Sequence, residues 1–165
     1  MIIRTDAEKA AEQAAISLHY QEKANEDGRR QKRDGVVVTP HQVVDFQIRS
    51  VIAQLKEQYG REPDDGIEWL DPFGGSGIYT ARLLQIVDLP PERKVVLASH
   101  CVVIELNPIA AQICANNLAA VLFEETGVIG EIRVICTDTL NLDPNADLFS
   151  LPVVHPQEAP SCVSM

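Results

Sequence analysis

The chain has 165 residues, the size of one compact domain, and its 14 Lys+Arg against 24 Asp+Glu give a formal charge of -10. An apolar fraction of 45% with 23% charged residues supports a core, which excludes wholesale disorder and collagen-like or low-complexity chains. No apolar run reaches the roughly 18–20 residues of a membrane span, and the N-terminal "MIIRTDAEKAAEQ" turns polar too soon for a signal peptide, so a cytoplasmic protein with no membrane partner is expected.

From the N-terminus, residues 5–27 read as a helix, with Thr5 and Glu8 at capping-box spacing, Gly28 as its stop, and Ala7, Ala11, Ala14 and Leu18 as its apolar face. That face is small, so the helix needs a partner surface. A basic linker follows, with Arg29, Arg30, Lys32 and Arg33. A second helix is expected from Pro40 to Tyr59, with Thr39 as N-cap, Gln42 completing a capping box, Gly60 as the stop, and Val44, Ile48, Val51, Ile52 and Leu55 as one stripe. Then "IEWLD" reads as a strand, "GIYTARLLQIV" as a helix and "KVVLASHCVVIEL" as a strand entered from "LPPER". "PIAAQICANNLAAVLF" reads as a helix capped by Asn107, and "GEIRVICTD" as a third strand. Strands alternating with helices predict parallel crossover units.

Charge and cysteines are unevenly placed. Residues 1–60 hold nine basic and nine acidic side chains, whereas residues 61–165 hold five and fifteen; the second part alone repels a phosphate backbone. Cys101, Cys114, Cys136 and Cys162 form no C-x-x-C pair. They read as reduced thiols, with neither a disulfide frame nor a metal site expected.

The strongest chemical signal is Asp71-Pro72-Phe73-Gly74-Gly75-Ser76-Gly77, between a strand and a helix. Glycines there let a ligand approach the backbone, and amides at a helix N-terminus bind anionic groups. The spacing matches neither G-x-G-x-x-G nor a phosphate loop. An acid at the strand end suits a ligand with a cationic amine better than a pyrophosphate. Glu105 ends the second strand, where an acid can accept from ribose hydroxyls, and Asp138 ends the third. Three consecutive strands thus finish in carboxylates at the edge where open α/β sheets bind ligands.

These residues resemble the class I S-adenosylmethionine-dependent methyltransferases. "DPFGGSG" is similar to the D-P-x-x-G-S/T-G cofactor motif of DNA methyltransferases that modify exocyclic amines, and "GVVVTPHQVVDFQIRSV" to the G-x-x-x-T-P-x-x-V-V-D-F segment of adenine-specific enzymes of restriction-modification systems. "IELNPIAAQICANNL" and "CTDTL" follow in the family's order. The resemblance covers roughly residues 35–142. It implies an α/β fold: a partial Rossmann-like class I methyltransferase sheet of the first three parallel strands with helices, preceded by N-terminal helices. In domain terms, residues 1–34 are an N-terminal helix and linker, 35–144 a partial cofactor-binding domain, and 145–165 a disordered or non-homologous tail.

The resemblance also implies S-adenosylmethionine as cofactor. Asp71, Gly74, Gly75 and Gly77 would hold its methionine part, Glu105 its ribose, Asp138 its adenine amine, and Thr39 would contact the methionine end. The function implied is methyl transfer to an adenine amino group of DNA, by a complete enzyme or a fragment of one. The family's catalytic Asn/Asp-Pro-Pro-Tyr/Phe segment does not occur in this sequence, so no catalytic residue is assigned. In the family's sheet the fourth strand pairs with the first. Without it, residues 67–70 become an open apolar edge, a place for self-association or a partner subunit. The alternatives are a non-catalytic cofactor-binding subunit that needs a partner, and a methyltransferase acting on RNA or protein.

Overall fold

The computed structural model describes residues 4–25 and 38–157. The basic linker, Val36, Val37, the boundary at residues 34/35 and Cys162 lie outside the described residues. Helix α1 spans Asp6–Asn25. Its capping box is closed from both sides: Thr5 N–H donates to Glu8 Oε2 at 2.7 Å, and Glu8 N–H donates to Thr5 Oγ1 at 3.3 Å. The expected apolar face is not the buried one. Ala7 and Ala11 are exposed and Leu18 is 54% exposed, while Ala10, Gln13 and Ser17 face inward. The helix is turned this way because its buried polar side chains have partners across the interface, which a stripe of alanines does not supply.

Helix α2 spans His41–Tyr59 and stops at Gly60, whose φ of 61° lets its N–H reach back to the Leu55 and Lys56 carbonyls. Its N-terminus differs from the Thr39 cap and Gln42 capping box expected from sequence. Pro40 is the cap residue, no side chain caps the helix, and the Pro40 carbonyl accepts from Val43 and Val44. Of the predicted stripe, Val44 and Ile48 are buried and Ile52 packs on the core, whereas Val51 is exposed.

Strand β1 is Trp69–Asp71 and helix α3 is Ile78–Ile86. The long strand expected over residues 94–106 is instead two elements, helix α4 over Pro91–Ser99 and strand β2 over Cys101–Glu105. Pro91 in the first turn and Glu92 beside it start a helix. Lys94, 8% exposed, reaches Glu125 at 2.7 Å, a contact made from the helix. Helix α5, Pro108–Thr126, is capped as expected by Asn107, whose Oδ1 accepts from the Ile109 and Ala110 amides. Strand β3 is Arg133–Cys136.

The sheet is parallel in the order β1-β2-β3, with Asp71 beside Val103 and Glu105 beside Cys136. This is the partial Rossmann-like fold with N-terminal helices that the sequence predicts. One face of the sheet, with Val103 and Val134, packs with Leu84, Leu97 and Leu118 of the helices. The other face, Val102, Ile104 and Ile135, is covered by Leu142, Leu148 and Leu151. Residues 148–154 therefore lie against the sheet, and Val154 N–H donates to the Val134 carbonyl at 2.8 Å. β1 is one of the two edge strands of the sheet, and its Leu70 is 52% exposed. Among the described residues no helix is long and apolar enough to cross a membrane.

Three helices are joined by one cation. Arg82 of α3 has 0% exposure and donates to both Asp45 oxygens of α2 at 2.8 Å and to Asp6 of α1 at 2.8 Å. Asp6 and Asp45 both retain contact with water. Arg82→Met should therefore cost about 2–3 kcal/mol, below the ~3–5 kcal/mol of breaking a wholly buried pair. Chemical denaturation of both proteins measures it.

Candidate functional site

The glycine loop follows β1 and is fastened to the end of β2. Gly74 N–H donates to the Ile104 carbonyl and Gly75 N–H to Glu105 Oε2, both at 2.8 Å. The other Glu105 oxygen accepts from Asn107 N–H at 2.8 Å. The Glu105 carboxylate thus joins the loop after β1 to the turn after β2.

The three glycines have different reasons to be glycine. A Cβ on Gly74 would lie 2.1 Å from Val103 Cγ1, so the sheet itself forbids a side chain there. Gly77, at φ 81°, would place a Cβ 2.8 Å from Cys114 Sγ of α5. Gly75, at φ 55°, has nothing within 4 Å of that position. The loop therefore presents its open side at Gly75, and packing accounts for the other two.

Asp71 sits at the carboxyl end of β1. Its Oδ1 accepts from Phe73 N–H at 3.2 Å, while its Oδ2 is buried without a hydrogen-bond partner. Burial pushes the Asp71 carboxyl upward, the Phe73 amide opposes this, and the nearby negative charge of Glu105 adds to the rise. An unpartnered buried carboxylate oxygen beside a second acid calls for a cation or a donor.

Asp138 caps the 3-10 turn Thr139–Asn141, accepting from Leu140 N–H at 3.0 Å and Asn141 Nδ2 at 2.7 Å. Thr139 Oγ1 donates to the Pro72 carbonyl at 2.6 Å, tying this turn to the loop after β1. Asp71, Gly74, Gly75, Glu105 and Asp138 are thus gathered at one sheet edge. Thr39, half-buried ahead of α2, shares no hydrogen bond with them among the described residues. A cavity of about 570 Å³ lies on the open side of β1, lined by Phe46, Val51, Leu70, Asp71 and Tyr79 among others.

No protein-family model and no curated protein sequence matches the chain. Solved structures do. A structure described as a DrdV–DNA complex superposes with a TM-score of 0.68 at 26% identity, over 84% of this chain and 14% of that one. The ATP-dependent Type ISP restriction-modification enzyme LlaBIII bound to DNA gives 0.60 at 25% identity, over 69% of this chain and 9% of that one. A nuclease-deletion mutant of the Type ISP restriction-modification enzyme LlaGI with a DNA substrate mimic gives 0.59 at 22% identity, over 73% and 12%. The chain resembles a part of restriction-modification enzymes. It spans between about a tenth and a seventh of their length.

Two features of this part were missed from sequence. Phe73, Leu106, Ile109 and Leu140 are all more than half exposed and lie on the turns or first helical turns after the three strands, close in sequence to the carboxylates. Their signal was position: each follows a strand-terminal acid by one to four residues. Ser76, 4% exposed, is held from behind the loop by side chains of α1 and α5, which no local pattern announces.

The cysteines are free thiols where described; Cys101 and Cys114 are buried and Cys136 is exposed. Burial pushes the Cys101 thiol up to about 12, so it packs as a neutral group.

The raised Asp71 carboxyl has a consequence for stability. The native state holds the Asp71 proton more tightly than the unfolded chain, so this group's contribution to stability declines as pH rises through its ordinary value of 3.8. Asp71→Asn abolishes that decline. The stability of Asp71→Asn relative to the parent should be small at pH 3, grow in the variant's favour above 3.8, and level off once the native carboxyl is ionised. Urea unfolding across pH 3–7, over that range about 4 pH units wide, measures the difference.

Proposed function

We propose that this chain is the S-adenosylmethionine-binding part of an adenine-specific DNA methyltransferase of the restriction-modification type. The observation that carries the reading is the buried Asp71 Oδ2 without a partner, next to the open face of Gly75 and the Glu105 carboxylate. A sulfonium ligand with a free ammonium group brings donors and positive charge to such a place, as a dinucleotide does not.

In this reading Asp71 accepts from the amino group, and the backbone at Gly74, Gly75 and Gly77 carries the methionine part. Glu105 already spends one lone pair on Gly75 and one on Asn107, and its remaining lone pairs receive the ribose hydroxyls. Asp138 lies on the adenine side, and the exposed Leu106, Ile109 and Leu140 supply apolar surface for a planar base. Thr39 is kept as a contact to the methionine end. When bound, S-adenosylmethionine supplies an electrophilic methyl group for an acceptor amine.

The similar structures that were solved with DNA support a DNA substrate, and the Thr-Pro segment before α2 supports an adenine acceptor. Contact with DNA falls mostly to polypeptide beyond this chain, in keeping with the fifteen acids against five bases of residues 61–165. The open β1 edge is where a partner subunit, or a second copy by self-association, would continue the sheet.

Calorimetric titration with S-adenosylmethionine tests the reading. The parent chain should bind, and Asp71→Ala and Glu105→Ala should each weaken binding about 10–100-fold, the scale of losing charge-assisted hydrogen bonds. Undiminished binding in both variants would overturn the site. The chain alone should transfer no methyl group to DNA, because it lacks the Asn/Asp-Pro-Pro-Tyr/Phe segment.

A further inference from the structure

We infer that α1 is a working part of the ligand site, with Gln13 and Ser17, together with Asn117 of α5, as positioning residues that hold the glycine loop from behind. The inference rests on the cofactor reading of that loop and adds Gln13 and Ser17, which lie outside the segment that carries the sequence resemblance.

Two contacts converge on Ser76. Its hydroxyl is 2.7 Å from Ser17 Oγ, and its carbonyl accepts from Asn117 Nδ2 at 2.9 Å. Asn117 is itself fixed by a reciprocal amide pair, receiving from Gln13 Nε2 at 3.0 Å and donating to Gln13 Oε1 at 2.8 Å. Exposure is 0% for Gln13, 3% for Ser17, 4% for Ser76 and 7% for Asn117, so water does not compete for these groups.

The placement matters because Ser76 lies between two residues in the left-handed region, Gly75 at φ 55° and Gly77 at φ 81°. A glycine pair of this kind has many alternative conformations and loses much entropy when ordered. Fixing the residue between them, by both hydroxyl and carbonyl, leaves Gly75 able to offer its amide to Glu105 and its open side to a ligand. The ligand then meets a loop already in the bound shape and does not bear the cost of ordering it.

The start of α1 and the residues just before it dock by different means. Lys9 pairs with Glu125, Arg4 with Glu124, and Asp6 with Arg82, none of which touches the loop. That separation allows a control. Ser17→Ala removes a hydrogen bond to the loop, and Lys9→Ala removes a tie of α1 that leaves the loop alone.

The test has two arms. Amide hydrogen exchange of the ligand-free proteins should show faster exchange at Gly74, Gly75 and Gly77 in Ser17→Ala, and parent-like exchange there in Lys9→Ala. Equal loop exchange in Ser17→Ala and the parent, or equal acceleration in both variants, would overturn the inference. In the second arm, S-adenosylmethionine should bind Ser17→Ala about three- to tenfold more weakly than the parent and bind Lys9→Ala unchanged. A parent that binds while Ser17→Ala matches it would overturn the inference as well. A parent that does not bind would overturn the cofactor reading, and the exchange arm would still decide whether α1 holds the loop.

Discussion

The site depends on how the glycine loop is fastened to β2. Gly74 donates to the Ile104 carbonyl and Gly75 to the Glu105 carboxylate, and Val103 leaves no room for a side chain on Gly74. These constraints bring the end of β1 against the end of β2. They also set Asp71 and Glu105 close enough for the charge of one to raise the carboxyl of the other. The fold accepts that unfavourable pairing and the burial of Asp71 Oδ2 at the carboxyl edge of the sheet.

Much of this was legible in the sequence where one local signal decides the outcome. Thr5 with Glu8, Gly60 and Asn107 mark helix ends because each supplies a hydrogen bond or a backbone angle that the end requires. The strands ending in Asp71 and Glu105 were visible as short apolar runs closed by an acid, whereas Asp138, expected to end the third strand, lies two residues beyond β3 and caps the 3-10 turn; the parallel order follows from the intervening helices. The glycine motif announced a close approach of backbone. It did not reveal that two of its three glycines are required by packing within the protein.

What was not legible depends on partners distant in sequence. Residues 94–106 form one apolar, β-branched run, yet Pro91 and Glu92 start a helix at its beginning and His100 ends that helix before β2. Lys94 in that run is buried because Glu125 of α5 stands opposite. Helix α1 turns its polar side inward for the same reason, since Asn117 and Ser76 wait across the interface. Thr39 had a complete local explanation as an N-cap, and the chain uses Pro40 at that place instead. In each case an interaction more than thirty residues away, or a fixed proline φ, outweighed the local pattern.

The arrangement therefore divides into a candidate ligand edge, where the buried Asp71 Oδ2 lies beside Glu105 and the open side of Gly75, and a support behind it of α1, α5 and the Arg82 junction. The most direct measurement of the central claim is a crystal structure of the chain with S-adenosylmethionine or its demethylated product. The expected density places the ligand's amino group on Asp71 Oδ2 and its ribose hydroxyls on Glu105. A bound ligand that leaves Asp71 Oδ2 without a donor, or one lodged away from this edge, would contradict it.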